Sequence, residues 1–187
     1  MQTTKQLLHA LRATLEEMDQ YFHQTISAQP DAVLSQAPQD GGWSVVQVLD
    51  HLNFYSRWYL PRLEDAFKES RKKNLAAQPY FKSGWLGGYF TRMMKPRADG
   101  SIASKMKAPS NAVPAATIDS TAVLLEFEQH LQHLSSLLKL AEKADLIHTR
   151  VTTSLSSLIR LKSGDALCFV LAHAERHFMQ MKRIIGK

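Results

Sequence analysis

Leu171-Ala172-His173-Ala174-Glu175-Arg176-His177-Phe178-Met179-Gln180 carries the pattern from which the architecture follows. It is the most helix-like part of the chain, and in an α-helix two side chains four residues apart project from one face, one turn apart. With about 100° per residue, the face carrying His173 and His177 also carries Ala166, Phe169, Val170, Gln180 and Ile184. The pair therefore points toward a core. A buried histidine satisfied by hydrogen bonds is the plainer reading of either ring taken alone. Two buried imidazoles need two sets of partners unless a cation satisfies both, so a third inward histidine would favour a metal.

His51 supplies one. It lies in Gly41-Gly42-Trp43-Ser44-Val45-Val46-Gln47-Val48-Leu49-Asp50-His51-Leu52, where Ser44 followed three residues later by Gln47 forms a capping box and so opens a helix. On that helix Val45, Val48, Leu52, Tyr55, Tyr59 and Leu63 make an apolar arc that includes His51.

These residues resemble the DinB/YfiT-like superfamily, four-helix proteins whose second helix opens with Trp-Ser and carries an inward histidine eight residues after the tryptophan. The last helix of that family carries His-x-x-x-His, often followed by glutamine. Trp43-Ser44, His51, His173, His177 and Gln180 match at the expected spacing, and Lys105-Met106-Lys107-Ala108-Pro109 looks like a stretch common in one branch. Many relatives have glutamate where this chain has Gln47, which removes a carboxylate from that place. The resemblance implies an all-α fold, a four-helix bundle with one divalent metal held in its interior by His51, His173 and His177. It also implies relatives of the bacillithiol-transferase type, which transfer a low-molecular-weight thiol onto electrophiles or use a thiol cofactor in isomerisation.

Composition agrees with one soluble domain over residues 1–187: 44% of the residues are hydrophobic and 21% charged. No apolar run approaches the roughly 20 residues that span a bilayer, and the first residues are polar, so no membrane is expected and the cytoplasm is the expected compartment. The single Cys168 cannot form an internal disulfide and lies off the histidine face, so it reads as neither ligand nor nucleophile. A net charge of +6 raises nucleic acid as a partner. The basic residues concentrate between the second and third helices with Tyr80, Phe81, Trp85, Tyr89 and Phe90 among them, but no nucleic-acid-binding signature accompanies them. A solvated surface or the rim of a site for an anionic substrate is the preferred reading, with no nucleic acid expected.

Apolar periodicity lays out four long helices. The first runs from about Thr4 to Ile26 and is followed by a loop containing Pro30 and Pro38. The second runs from Ser44 to about Arg71 with Pro61 inside it, and the third begins at Asp119 or Ser120. The fourth starts after Ser163-Gly164 and ends at Gly186. Thr149 to Leu161 is rich in Thr and Ser and reads as irregular chain or one short helix. The connection from Lys72 to Ile118 is a long crossover between helices 2 and 3, with a short extra helix from about Ser83 to Lys95. That helix reads as lying across one end of the bundle, as a cover for the core, a lid, or the contact of a homodimer, with Trp85 or Tyr89 shielding the site.

The other histidines read differently. His130 and His133 lie at or beyond the border of the apolar stripe and are taken as surface residues, while His9, His23 and His148 have no partner at ligand spacing. Three neutral imidazoles would leave a divalent ion its full charge and an open position, with zinc or nickel the leading candidates. Gln47, Gln180 and Tyr55 are the candidate groups around it, able to order a water or a substrate. Two functions are consistent with these residues. One is a metal-dependent enzyme, a thiol transferase or a hydrolase-like protein acting on a small molecule. The other is a metal-stabilised binding or stress-response module without turnover.

Overall fold

The apolar stripes become helices whose ends are set by local hydrogen bonds. A computed structural model describes residues 2–39, 41–97 and 107–186. After the two-residue strand β1 (Gln2–Thr3), helix α1 (Thr4–Tyr21) opens with a capping box between Thr3 and Gln6. It continues as a π-helical turn over Phe22–Ile26, so helical chain ends where the apolar stripe ends. The loop after it holds a short helix α2 (Asp31–Ser35) that the sequence did not announce, anchored by the buried Leu34. Helix α3 (Val45–Lys72) starts at the expected capping box: the Gln47 N–H donates to Ser44 Oγ and the Ser44 N–H to Gln47 Oε1. Pro61 deprives it of one backbone hydrogen bond without ending it.

In the long connection, strand β2 (Tyr80–Phe81) pairs antiparallel with β1, Gln2 facing Phe81 and Thr3 facing Tyr80. Helix α4 (Trp85–Met94) follows close to its expected place, and a 3₁₀ turn over Ser110–Ala112 precedes α5 (Ser120–Ala141). Asp119, not Ser120, caps α5 by accepting the Ala122 N–H. Lys105 and Met106 of the family-like stretch lie outside the described residues.

The segment expected to be irregular or helical is instead a small antiparallel hairpin, β3 (Arg150–Thr152) with β4 (Arg160–Lys162), feeding directly into helix α6 (Ser163–Ile185). Val151 and Leu161 face each other across it and are both buried, which fixes its register.

The molecule is an all-α bundle with two minor ribbons. Helix α3 packs against α5 and α6, and so does α1, which puts α1 and α3 at opposite corners of the four-helix arrangement. Phe22, Phe127 and Phe178, from the π-helical turn, α5 and α6, meet in the core with ring centroids 5.3 and 5.9 Å apart. No helix among the described residues is long and apolar enough to cross a membrane.

Helix α4 does not cross an end of the bundle. It lies along α6, from Gly84 and Gly87 beside Asp165, past Phe90 against Phe169, to Met93 beside Arg176. The buried Asp165 carboxylate docks it, accepting from Ser83 Oγ and from the Gly84 N–H at 2.9 Å. Gly87 is what permits the approach, since a Cβ there would sit 2.4 Å from the Asp165 side chain.

Candidate metal centre

Three rings are brought together by two helices. The capping box sets where α3 begins and the apolar arc of Val48, Leu52 and Tyr55 turns His51 inward; Ala166, Phe169 and Val170 do the same for His173 and His177 on α6. The three histidines are 3%, 5% and 8% exposed. Their potential ligand atoms converge: His173 Nε2 lies 3.3 Å from His51 Nε2 and 3.1 Å from His177 Nε2.

The outer nitrogens decide which tautomer each ring adopts. A carbonyl oxygen only accepts, so His51 Nδ1 must carry the hydrogen it donates to the Ala112 carbonyl at 2.7 Å. His177 Nδ1 likewise donates to Gln180 Oε1 at 2.9 Å. Both Nε2 atoms are therefore bare lone pairs aimed at His173 Nε2, which has at most one hydrogen to give and cannot satisfy both. A divalent cation at the shared point accepts all three lone pairs. Zinc–nitrogen bonds of about 2.0–2.1 Å in tetrahedral geometry place ligand nitrogens about 3.3–3.4 Å apart, close to the 3.3 and 3.1 Å that separate His173 from the other two rings, all three atoms lying within 4.8 Å of one another.

Electrostatics keep the rings in the ligating form. Burial, reinforced by the neighbouring imidazoles, lowers the His173 pKa well below its usual value and takes His177 down to about 3. Burial also lowers His51, against the opposing pull of its Ala112 bond and Asp50. The walls are aromatic. The Trp43 ring lies 4.8 Å from His51, and Tyr55 lies 5.0 Å from His51 and 4.5 Å from His173. Phe169 stacks parallel to His173 at 5.9 Å. Burial, with Tyr59 adding to it, pushes the Tyr55 phenol up to about 12, so it remains a protonated donor. No carboxylate joins the three rings among the described residues.

Residues 8–181 match the family model of the DinB superfamily. The chain belongs to the DinB superfamily. No curated protein and no solved structure matched.

The other expected residues of this DinB-superfamily chain are distributed unevenly. Gln180 is at the centre, as the partner of His177. Gln47 is not free to order a water: its carbonyl completes the capping box, and its amide donates to the Ala115 carbonyl at 3.1 Å. Trp85 is 83% exposed on the outer face of α4 and shields nothing, and Tyr89 stacks beside it. His130 is not a surface residue. Its side chain is 15% exposed and its Nδ1 donates to Asn53 Oδ1, Asn53 being held by the Val123 carbonyl. His133 is half-buried and bonded to Glu64, and His148 is exposed and bonded to Asp145. His9 and His23 are exposed. Cys168 stands apart from the histidines on α6, its thiol pushed up to about 12 by burial.

Proposed function

We propose that this protein is a metal-dependent enzyme in which His51, His173 and His177 hold one divalent ion, zinc or nickel, beside which a low-molecular-weight thiol reacts with a small electrophile. The observation that carries this reading is the convergence of three buried Nε2 atoms, two of them left bare by the hydrogen bonds of their rings to Ala112 and Gln180. A divalent ion held there supplies Lewis acidity, which draws down the pKa of a thiol or water in its open position.

The chain's own residues do the rest. Ala112 and Gln180 orient two of the rings, which spares their reorganisation when a ligand arrives. Trp43 and Phe169 exclude water from the imidazole faces. Tyr55, neutral at physiological pH, packs its ring against His51 and His173, which supports its phenol as the hydrogen-bond donor to a bound substrate. Cys168 takes no part, being neutral and turned away.

A second reading, a metal-stabilised binding module without turnover, draws support from the near-complete burial of the three rings and from the lack of a carboxylate among them to serve as base. One experiment separates the two. Tag-free protein is analysed for metal, then assayed for thiol consumption with a chlorinated aromatic or an epoxide, alongside His177→Ala and Cys168→Ser. Enzyme function requires about one ion per chain, activity retained in the cysteine variant and activity lost in the histidine variant. Bound metal with no turnover of any thiol favours the module, and loss of activity only in the cysteine variant reverses the assignment of roles.

A further inference from the structure

Helix α6 has a second functional side. Cys168, Leu171, Ala172 and Glu175 project away from the face of His173 and His177. There α1, α4 and α6 enclose a cleft of about 330 Å³, within the size range of small-molecule sites. Its floor is apolar, built of Leu7 and Leu11 from α1 with Leu171 and Ala172 from α6.

Two observations give the cleft a chemical preference. Thr91 Oγ1, on its α4 wall, is buried and has no hydrogen-bond partner among the described residues. A buried hydroxyl left in that state costs free energy that a bound acceptor would recover. The charges are also unbalanced. Arg92 and Lys95 line the α4 side, and neither forms a salt bridge among the described residues. Glu175, the one carboxylate lining the cleft among the described residues, is half-buried; burial raises its pKa against the pull of Lys95, with the nearby Glu17 adding to the rise, and one carboxylate does not balance two cations. An apolar floor, an unmet hydroxyl and two cations on one wall, in excess over the single carboxylate, describe the complement of an amphipathic anion.

We propose that this cleft binds a small amphipathic carboxylic acid, its hydrocarbon part on Leu7, Leu11, Leu171 and Ala172 and its carboxylate toward Arg92, Lys95 and the Thr91 hydroxyl. The site is independent of the histidine centre and stands whether or not that centre turns over substrate.

Calorimetric titration of decanoate and of decylamine tests it, using chelator-treated protein so that no metal captures the carboxylate. Decanoate should bind wild type and His177→Ala alike. Affinity should fall at least tenfold in Ala10→Phe, which fills the cleft from an exposed position on α1, and in the Arg92→Glu/Lys95→Glu double variant. Thr91→Val, which removes the hydroxyl and keeps the shape, should weaken binding several-fold. These side chains lie outside the packed core, and each variant's ligand-free unfolding midpoint verifies its fold. The proposal is overturned if decanoate does not bind wild type, if the filled and charge-reversed variants bind it undiminished, or if decylamine binds more tightly than decanoate.

Discussion

At the scale of single residues, Gln180 does for His177 what the Ala112 carbonyl does for His51: each takes the outer hydrogen and leaves the inner nitrogen bare. Outer partners of this kind are typically worth 10–100-fold in metal affinity. Replacing Gln180, which is half-buried, by Leu should therefore weaken metal binding by about 10–100-fold with little change in metal-free stability. Competition against a chromogenic chelator measures this, and an unaltered affinity would remove Gln180 from the site. The difference between the two partners explains what could be read in advance. His51, His173, His177 and Gln180 announce themselves through side-chain type and helical spacing. Ala112 does not, because every residue offers a carbonyl and only the path of the chain aims this one. The burial of His130 is illegible in the sequence for a related reason: its partner Asn53 comes from α3, across an interface that no spacing within α5 reveals.

At the scale of elements, α3 and α5 begin at side-chain caps the sequence offers, Ser44 and Asp119, while α1 begins where its apolar periodicity does, at Thr4, behind a Thr3 cap. The β3–β4 hairpin was hidden because strands of three residues are too short to show alternation and its tip is rich in serine. Helix α4 was recognised but placed wrongly, since its site on α6 depends on close contact between Gly87 and Asp165, whereas in the sequence that glycine only weakens a helix. Gly87→Ala should prise α4 from α6 at a cost of about 1–3 kcal/mol, the usual range for overpacking, visible in denaturant unfolding. Metal affinity should be unchanged, because α4 supplies none of the three histidines and reaches them only indirectly, through Phe90 on Phe169. A parallel loss of metal would mean that α4 supports the centre through α6.

At the scale of the whole molecule, the centre joins α3 to α6, so a bound ion favours the folded chain over an unfolded one that scatters its ligands. An ion at 100 times its dissociation constant contributes about 2.7 kcal/mol. Complete chelation should therefore lower Tm by at least about 5 °C. An unchanged Tm would leave the ion without a part in stability. Acid should act on the metal-free protein through the same rings. Their folded-state pKa values lie below the usual 6.5, with His177 near 3, so below pH 6.5 the unfolded chain binds more protons than the folded one. The stabilisation held above pH 6.5 is then lost as pH falls toward 3. Denaturation midpoints from pH 7 to 4 should show this slope, and it should be shallower in His177→Gln. The 3₁₀ turn at Ser110–Ala112 has one more effect. By lending a main-chain oxygen to His51 it ties an outer stretch of the connection to the buried histidine centre, and the exposed Lys107 lies just upstream. Trypsin should cut after Lys107 more slowly in metal-loaded protein, and a cut there should loosen the ion although all three ligands survive. A protease that never touches the centre would thus report whether it is filled.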